Sequence, residues 1–221
     1  MERALVVGAS GGIGSALVTA LQARGAEVTG LSRSRDGLDV TDEASLARVL
    51  GGLTGHYDTI LVATGALELG AYRPEKALRQ VSTEAVAAQF ALNAAGPLLI
   101  LKHAVALMPR DRPTRFAALS ARVGSIGDNA LGGWYAYRAA KAALNQMIHT
   151  AAIEVARSHP QAVVVTLHPG TVDTDLTRKY RGDHVALPPA EAATHLLQVL
   201  HGLTPAQSGG FFDWQGLSIP W

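Results

Sequence analysis

Residues 3–14 read Arg3-Ala4-Leu5-Val6-Val7-Gly8-Ala9-Ser10-Gly11-Gly12-Ile13-Gly14, an apolar run that passes directly into a glycine-rich turn. The apolar run predicts a strand over 3–7, and the segment after the turn predicts a helix over 12–23. Glycines at such a junction allow a tight turn, and they let the backbone and the helix N-terminus approach an anion such as a pyrophosphate. The stretch therefore predicts the first strand, turn and helix of a nucleotide-binding α/β fold.

Strand-like and helix-like segments alternate along the whole chain. Runs without polar alternation, such as Ala4-Leu5-Val6-Val7, are typical of strands that are buried on both faces of a parallel sheet. We therefore predict an α/β fold, a Rossmann-type doubly wound parallel β-sheet flanked by helices on both faces, in a single domain over 1–221. The other predicted strands are 27–31, 59–63, 115–120, 163–167 and 211–214, with a short extended piece at 38–40; the other predicted helices are 42–50 (Thr41 as N-cap), 83–108, 134–157 and 190–200.

The composition of the 221 residues excludes several classes of function. The formal net charge of +1 gives no electrostatic reason to expect a nucleic acid or a membrane as partner. The absence of cysteine excludes a disulfide framework, and the eight histidines show no metal-ligand spacing, so we expect no metal. The most apolar stretch, 85–108, carries polar residues and a Gly96-Pro97 break, and it predicts a buried helix rather than a membrane span. The first residues do not resemble a signal peptide, and we expect a cytoplasmic enzyme.

The glycine turn has a second interpretation. Gly8-Ala9-Ser10-Gly11-Gly12 also spells G-x-S-x-G, the nucleophile elbow of α/β-hydrolases. That elbow normally follows a central strand, with an acid and a histidine downstream. Its place after the first strand favours the nucleotide-binding interpretation.

The end of the second predicted strand bears on which nucleotide binds. Folds that bind NAD usually place an acid there to hold the ribose hydroxyls. This chain reads Gly30-Leu31-Ser32-Arg33-Ser34-Arg35, with no acid until Asp36. Because a guanidinium can pair with a 2′-phosphate, we predict NADP(H) in preference to NAD(H), with Ser32 and Arg33 as the contacts. The alternative is that the arginines are solvated and that both nucleotides bind.

Tyr137 and Lys141 lie four residues apart in a predicted helix, and therefore on one face of it. A tyrosine with its usual pKa of about 10 is a poor proton donor or acceptor at neutral pH, and a nearby ammonium favours the phenolate. The pair thus predicts proton-transfer chemistry. Tyr135 has Ala139 four residues on instead of a lysine, and we predict a packing role or a place in a pocket wall for it.

Further motifs follow the other predicted strands. Asp39-Val40 ends the short piece at 38–40, and Asn93 lies in the long helix. Ala63-Thr64-Gly65-Ala66 follows strand 59–63, and His168-Pro169-Gly170-Thr171-Val172-Asp173-Thr174 follows strand 163–167. With the glycine turn and the Tyr-x-x-x-Lys pair, they resemble the short-chain dehydrogenase/reductase family over essentially the whole chain. A subgroup with short chains, of the C-factor and sniffer type, has a similar Ile-Pro-Trp ending.

The resemblance implies a set of cofactor contacts. Asp39 and Val40 should touch the adenine, Lys141 should hold the nicotinamide ribose, and the residues after the Pro-Gly turn should hold the nicotinamide amide and the phosphates. The turn after strand 59–63 lacks both asparagines of the family's Asn-Asn-Ala-Gly turn. The full implied set is Gly8, Ser10, Gly12, Ile13, Gly14, Ser32, Arg33, Asp39, Val40, Ala63, Thr64, Gly65, Tyr137, Lys141, Pro169, Gly170, Val172 and Thr174.

The resemblance also implies a mechanism. Hydride would pass from the nicotinamide to a carbonyl carbon, and Tyr137 would deliver the proton to the developing alkoxide. Lys141 would lower the pKa of Tyr137, and Asn93 would support a water relay to Lys141. A serine would polarise the carbonyl.

The identity of that serine is open, because the segment Ala118-Leu119-Ser120-Ala121-Arg122-Val123-Gly124-Ser125 departs from the family pattern. A strict alignment puts Ala121 at the serine position. Ser120 is one residue early, and neighbouring residues of a regular strand point to opposite faces. We predict Ser120; the alternatives are Ser125 or no serine at all.

The substrate region is predicted from the segment after the Pro-Gly turn, 175–189, and from the loop 127–134. The loop offers Asn129, Leu131 and Trp134 as walls. The basic residues of the segment could attract an acidic substrate, or they could be solvated. Its polar and aromatic residues are Arg178, Lys179, Tyr180, Arg181, Asp183 and His184.

Two functions from different classes remain at this stage. One is an NADP(H)-dependent reductase of aldehydes or ketones, and the other is a nucleotide-binding sensor or signalling protein with little turnover. The intact Tyr137, Lys141 and Asn93 favour the enzyme, whereas the missing serine pair and the altered asparagine turn favour the sensor. An apolar tail is usually fixed by its own core or by a partner subunit, so the aromatic residues 211–221 lead us to expect a homo-oligomer.

Overall fold

Six parallel strands form one sheet in the order β2-β1-β3-β4-β5-β6, in a computed structural model that describes residues 1–182 and 185–221. The order reverses direction between β1 and β3, and such a reversal leaves a crevice at the carboxyl ends of the strands. The predicted fold class is confirmed. The strands are β1 (Arg3–Val7), β2 (Glu27–Leu31), β3 (Thr59–Val62), β4 (Thr114–Leu119), β5 (Ala162–His168) and β6 (Phe211–Asp213).

Helices cover both faces of the sheet. The described helices are α1 (Gly12–Ala23), α2 (Arg33–Asp36), α3 (Glu43–Gly51), α4 (Thr83–Phe90), α5 (Gly96–Ala104), α6 (Tyr135–Val155), α7 (Asp175–Arg178) and α8 (Pro189–Gly202). One core lies between the sheet and α3, α5 and α6, and the other lies between the sheet and α1 and α8. Strand side chains alternate between the two cores: in β4, Phe116 and Ala118 face α6, whereas Ala117 and Leu119 face α8.

The piece at 38–40 is not a strand, and Thr41 is not the N-cap of α3. Both differences have one cause. The Asp39 carboxylate accepts hydrogen bonds from the backbone N–H of Thr41 (2.9 Å) and from its hydroxyl (2.7 Å), which closes a local turn. Since the Thr41 hydroxyl is engaged there, the carboxylate of Asp42 caps α3 instead, accepting from the N–H of Ala44 at 3.0 Å.

The predicted helix 83–108 is interrupted. A π-helical turn over Ala91–Ala95 separates α4 from α5, and Asn93 lies in that turn, fully buried. Such π turns are often found at functional sites. The segment Thr83–Leu107 is long and apolar enough to cross a membrane by length and composition alone, but its Ile100 and Leu101 are buried in the core beside the sheet.

Candidate active site

A cavity of about 700 Å³ opens at the carboxyl ends of β3, β4 and β5. Eleven of the predicted site residues line it: Ile13, Ala63, Thr64, Gly65, Ser120, Tyr137, Lys141, Pro169, Gly170, Val172 and Thr174. The others lie around it rather than in its walls: Gly8, Ser10, Gly12, Gly14, Ser32, Arg33, Asp39, Val40 and Asn93. The fold therefore brings together segments that are far apart in the chain.

Tyr137 and Lys141 lie in the first two turns of α6, and both are buried, with 7% and 3% of their surfaces exposed. The Lys141 ammonium nitrogen lies 5.8 Å from the centre of the Tyr137 ring. It also donates a 2.8 Å hydrogen bond to the carbonyl of Leu119, the last residue of β4. The lysine thus links the helix that carries the tyrosine to the end of the central strand.

Burial controls the protonation of both groups. It raises the pKa of Tyr137 above the usual 10, and it lowers the pKa of Lys141 to about 7. Among the chain's own groups, desolvation therefore outweighs the lowering of the Tyr137 pKa that the lysine alone predicts. At neutral pH Tyr137 is a phenol that keeps its proton, so it can donate that proton to an oxygen that becomes strongly basic.

Ser120 follows the last residue of β4, and the structure shows which face of the sheet its side chain shares. Because side chains alternate along the strand, Ser120 shares the face of Phe116 and Ala118, which is the face covered by α6. Its backbone N–H donates to Leu167 of β5 at 2.8 Å. Its hydroxyl is buried at the cavity and has no hydrogen-bond partner among the described residues.

Ser125 has a different environment. Its hydroxyl accepts a 3.1 Å hydrogen bond from the N–H of Asp128, and the residue is not among those that line the cavity. Ala121 lines the cavity but offers no hydroxyl. Of the two candidate serines, Ser120 lines the cavity that Tyr137 also lines, and Ser125 does not.

Asn93 approaches the site from behind the turn after β3. Its side-chain oxygen accepts from the N–H of Ala66 (3.2 Å), and its amide nitrogen donates to the Ala66 carbonyl (3.0 Å) and to Gln89 (2.6 Å). A β-carbon on Gly65 would lie 2.8 Å from the Asn93 oxygen and 3.6 Å from the Lys141 ammonium. Any larger residue at position 65 would therefore collide with the Asn93 side chain.

The glycine turn forms a close-packed cradle. Gly8 has a φ of +91°, and a β-carbon on Gly14 would lie 2.0 Å from the Gly8 carbonyl oxygen. A β-carbon on Gly12 would lie 2.8 Å from a methyl carbon of Thr174, so the turn also touches the segment after the Pro-Gly turn. Gly11 caps α1 without a side-chain hydrogen bond, and residues 10–12 are exposed. The first N–H groups of α1 thus remain open to an anion, and the cradle fits a pyrophosphate.

Ser32 and Arg33 differ in how free they are. Ser32 is buried and caps the short helix α2; its hydroxyl accepts from the N–H of Arg35 and donates to Asp36, each at 3.3 Å. Arg33 is exposed. The hydroxyl of Ser32 is therefore already engaged, whereas the guanidinium of Arg33 is exposed to a ligand at the end of β2.

Asp39 and Val40 lie farther along the same surface. The two hydrogen bonds from Thr41 hold the pKa of Asp39 below its usual value. Val40 is buried, and a β-carbon on Gly96 would come within 3.0 Å of its side chain. Val40 therefore anchors this loop to α5.

Glu75 is a feature that the sequence did not reveal. The residue is 4% exposed, and its carboxylate accepts a 3.3 Å hydrogen bond from the N–H of Ala136 at the start of α6. Its backbone carbonyl accepts from the N–H of Trp134. Since α6 has no side-chain cap of its own, the loop after β3 supplies one. No local pattern could indicate it, because the two segments are far apart in the chain.

His168 and Arg122 form a second unpredicted group. Arg122 bridges the carboxylates of Asp128 (3.0 Å) and Asp213 (3.2 Å). His168, at the end of β5, lines the cavity; its Nδ1 is buried, with no partner among the described residues. Burial, reinforced by Arg122, lowers the pKa of His168 to about 4. This histidine is neutral at physiological pH.

The predicted substrate walls are present in part. Leu131 and Trp134 line the cavity, and so do Tyr180 and Arg181 from segment 175–189. Asn129 does not line it, because its side-chain oxygen caps its own loop by accepting from the N–H of Gly132 at 3.1 Å. Asp183 and His184 lie outside the described residues. Tyr135 is exposed and is not part of the cavity wall, so its predicted place there is wrong.

The C-terminal segment is held by its own core. Ile219 is buried, and its N–H donates to the carbonyl of Phe211 at 2.9 Å. The Trp221 ring stacks on Phe211 with 6.2 Å between the ring centres. The carbonyl of Trp221 accepts from the N–H of Gly127, in the loop before α6.

Comparison with known proteins agrees with this geometry. Residues 8–201 match the family model described as Enoyl-(Acyl carrier protein) reductase. The C-signal protein of Myxococcus xanthus is 37% identical over 146 residues, which cover 66% of this chain and 84% of that protein. The 1-hydroxy-2-glutathionyl-2-methyl-3-butene dehydrogenase of Rhodococcus sp. (strain AD45) is 30% identical over the full length of both chains.

Solved structures have the same fold. A putative short-chain dehydrogenase/reductase from Burkholderia multivorans with bound NADP superimposes with a TM-score of 0.79 at 25% identity, covering 100% of this chain and 99% of that one. The carbonyl reductase Sniffer of D. melanogaster superimposes with a TM-score of 0.82 at 20% identity over the full length of both chains. Family match, full-length relative and fold lead to one conclusion: the chain belongs to the short-chain dehydrogenase/reductase family of oxidoreductases.

Proposed function

We propose that this oxidoreductase is an NADP(H)-dependent reductase of aldehydes or ketones, with Tyr137 as its general acid. One observation carries the proposal. The protonated phenol of Tyr137 and the hydroxyl of Ser120, which has no partner among the described residues, line the same cavity, and this cavity also reaches Ile13 of the glycine cradle. Two hydroxyl groups beside one buried space are what a carbonyl oxygen needs as it gains negative charge.

The residues of the cradle fit the cofactor. The open N–H groups of α1 would hold its diphosphate, Arg33 would pair with its 2′-phosphate, and Asp39 would lie near its adenine. Thr64, whose hydroxyl is buried without a described partner, and the Pro169–Thr174 turn would hold the nicotinamide half. The bound cofactor supplies the hydride that reduces the carbonyl carbon.

The chain's own groups then have separate tasks. The Ser120 hydroxyl donates to the carbonyl oxygen and orients it. As that oxygen becomes an alkoxide, its basicity exceeds that of the buried Tyr137 phenolate, so the proton of Tyr137 moves to it. Lys141 lies beside the phenolate that remains and stabilises its charge. The hydrogen bonds between Asn93 and Ala66 fix the turn that lies between Asn93 and Lys141. A water relay between these two side chains would return a proton to Tyr137.

Relatives support the proposal. The full-length Rhodococcus relative is named a dehydrogenase, and the Burkholderia structure was solved with NADP. The signalling alternative has weaker support. Keeping Tyr137 and Lys141 buried together costs desolvation energy, and binding alone does not require that cost.

Replacing Tyr137 with phenylalanine tests the mechanism. We expect kcat/KM for carbonyl reduction to fall by about 10³-fold, because the proton donor is lost, while the Kd for NADPH is unchanged. The measurements are NADPH oxidation with a panel of aldehydes, ketones and quinones, and fluorescence titration with NADPH.

The matched control is Tyr135→Phe, which changes an exposed tyrosine two residues away and should leave kcat/KM as it is. Full turnover by Tyr137→Phe would contradict the assignment of the acid. Tight NADPH binding by the unmodified protein without turnover of any compound would favour the sensor.

A further inference from the structure

The outer part of the cavity has an apolar wall, which we call the Trp134 wall: Leu67, Val123, Leu131, Trp134, Leu176 and Tyr180. The indole of Trp134 meets the Tyr137 ring edge to face, with 6.3 Å between centres and 73° between planes. It meets the Tyr180 ring in the same way, at 5.8 Å and 81°. Trp134 therefore lies between the proposed acid and the segment after β5.

The backbone holds Trp134 in a strained conformation. Its φ is +50°, and it is the one non-glycine residue with positive φ in the part of the chain that the structure describes. The conformation is fixed on both sides: the Trp134 N–H donates to the Glu75 carbonyl, and its own carbonyl accepts from the N–H of Arg138 at 2.8 Å. A bulky side chain pays an energetic cost in this region, and such strain is concentrated at ligand sites.

Tyr180 is fixed as well. Its hydroxyl donates a 2.5 Å hydrogen bond to the carboxylate of Glu68. Trp134 is held by its backbone and Tyr180 by its hydroxyl, so both rings of this edge-to-face contact are fixed. Rigid aromatic surfaces bind flat apolar groups without losing much side-chain entropy.

The cations around the cavity are already engaged. Arg122 pairs with Asp128 and Asp213, and Arg181 pairs with Asp173 at 3.2 Å. The Lys141 ammonium donates to the Leu119 carbonyl. A substrate carboxylate would have to displace an acid from Arg122 or Arg181 in order to pair with either of them.

The remaining arginine of the cavity lining, Arg138, has no acid partner among the described residues and is held by backbone carbonyls. It donates through Nε to the Gly133 carbonyl (3.0 Å) and through Nη1 to the Val123 carbonyl (3.3 Å). Nearer the entrance, Lys179 pairs with Glu68 at 3.4 Å. The described basic residues of segment 175–189, Arg178, Lys179 and Arg181, thus all pair with acids, which argues against their recruiting an anionic substrate.

We propose that the substrate of this site is an uncharged aldehyde or ketone whose aromatic ring packs against Trp134. The proposal rests on the proposed function and names its substrate class. The carbonyl lies between Tyr137 and Ser120, and the ring lies against the indole. An anionic group at the far end of the ring would be desolvated against the apolar residues of the Trp134 wall, and Arg122 and Arg181 are already paired with acids.

Two aldehydes of closely similar shape test the charge: methyl 4-formylbenzoate, which is neutral, and 4-carboxybenzaldehyde, which is anionic. We expect kcat/KM for the ester to exceed that for the acid by at least about 30-fold, mainly through KM. Propanal, which lacks a ring, should be the poorest of the three. Equal or faster turnover of the acid would overturn the proposal.

Variants test the wall. Trp134→Ala should lower kcat/KM for the ester by about tenfold or more, and by a clearly larger factor than it lowers that for propanal, whereas Trp134→Phe should retain most of the activity. The control Tyr135→Ala removes the adjacent exposed aromatic ring and should change neither value. An unchanged ester kcat/KM in Trp134→Ala would show that the ring does not bind there.

A binding measurement separates this proposal from the proposed function. Calorimetric titration of methyl benzoate and of benzoate into the protein with NADP measures the Kd of each compound in the absence of any reaction. Tighter binding of the ester than of the acid, with the difference lost in Trp134→Ala, would support the proposed substrate class. It would do so even if no aldehyde were reduced, because the absence of turnover would refute only the proposed reductase activity. Equal binding of the two, or tighter binding of benzoate, would refute the substrate class even in an active reductase.

Discussion

At the scale of single residues, Ser32 and Arg33 leave β2 side by side, but the fold uses them differently. The hydroxyl of Ser32 is engaged with Asp36, and this carboxylate also accepts from the Ser32 N–H at 2.7 Å. The Asp36 carboxylate is therefore bound to the backbone at the start of its own helix, α2. The exposed guanidinium of Arg33 remains available for a phosphate.

We predict that Arg33→Ala weakens NADPH binding by about 10- to 100-fold, the usual contribution of a charge-assisted hydrogen bond, and leaves NADH binding unchanged. The Kd values of both nucleotides, measured by fluorescence titration, check this. Arg24→Ala, at the opposite end of α1, is the control and should alter neither Kd. A lower Kd for NADH than for NADPH in the unmodified protein would contradict the predicted preference.

Most of the predicted site residues lie in short motifs next to strand ends, and eleven of them line one cavity. Ser120 marks the limit. The sequence shows that Ser120 and Ala121 point to opposite faces, but not which face α6 covers. The protonation of Tyr137 could not be predicted either. The sequence shows a lysine near Tyr137 but not how deeply both residues are buried, and burial sets the direction in which the pKa of Tyr137 shifts.

At the scale of elements, α6 carries the proposed acid but begins without a cap of its own. Its first residue follows Trp134, whose φ of +50° turns the chain sharply into the helix. Glu75 supplies the missing acceptor from another loop. The orientation of Tyr137 thus depends on a contact that its own helix does not contain.

We predict that Glu75→Ala destabilises the protein by about 1 kcal/mol, the usual value of a lost N-cap, and lowers kcat while NADPH binding is retained. Glu75→Gln should recover much of both, since its amide oxygen can still accept from Ala136. Urea unfolding and steady-state kinetics measure the two effects. Glu154→Ala, at the exposed end of α6, is the control. Unchanged stability and kcat in Glu75→Ala would show that the cap does not position the helix.

Elements with strong periodicity were predicted nearly to the residue. β1, β2 and α1 agree in full with their predicted bounds, since apolar runs and glycines mark them locally. The misses have tertiary causes. The one-turn helices α2 and α7 are too short for any periodicity, and the π turn at Asn93 depends on packing around Ala66 and Val40.

At the scale of the whole molecule, the site reduces the stability of the protein that holds it. Burial lowers the pKa of Lys141 from 10.5 to about 7, so between these values the unfolded chain binds a proton that the folded chain releases. Stability therefore rises with pH through this window. The penalty is fully present below about pH 7 and is lost as the pH approaches 10.5.

We predict that Lys141→Met raises the free energy of unfolding by about 2 kcal/mol at pH 6, with the gain shrinking as the pH rises toward 10. A shift of this size sets an upper limit of about 5 kcal/mol, at roughly 1.4 kcal/mol per pH unit, and the lost hydrogen bond to Leu119 reduces it. Urea unfolding at several pH values checks this. Lys102→Met, an exposed lysine paired with Glu43, should show no such trend. A pH-independent difference in Lys141→Met would contradict the prediction.

The class of the fold followed from the alternation of strands and helices, because that pattern allows few topologies. Properties that depend on other molecules do not follow in this way. The homo-oligomer and the cytoplasmic location stay predictions. Trp221, in the tail that suggested a partner subunit, stacks on Phe211 of β6 in its own chain.

The contact between Gly12 and Thr174 has a consequence for the order of events during synthesis. The first strand, turn and helix leave the ribosome early, but the opposite side of the nucleotide cleft is made by a segment that emerges much later. We therefore expect that a nascent chain does not retain the proposed dinucleotide until most of its sheet has assembled. We expect cofactor capture to coincide with the last steps of folding, so the cofactor would report a finished protein rather than template its first half.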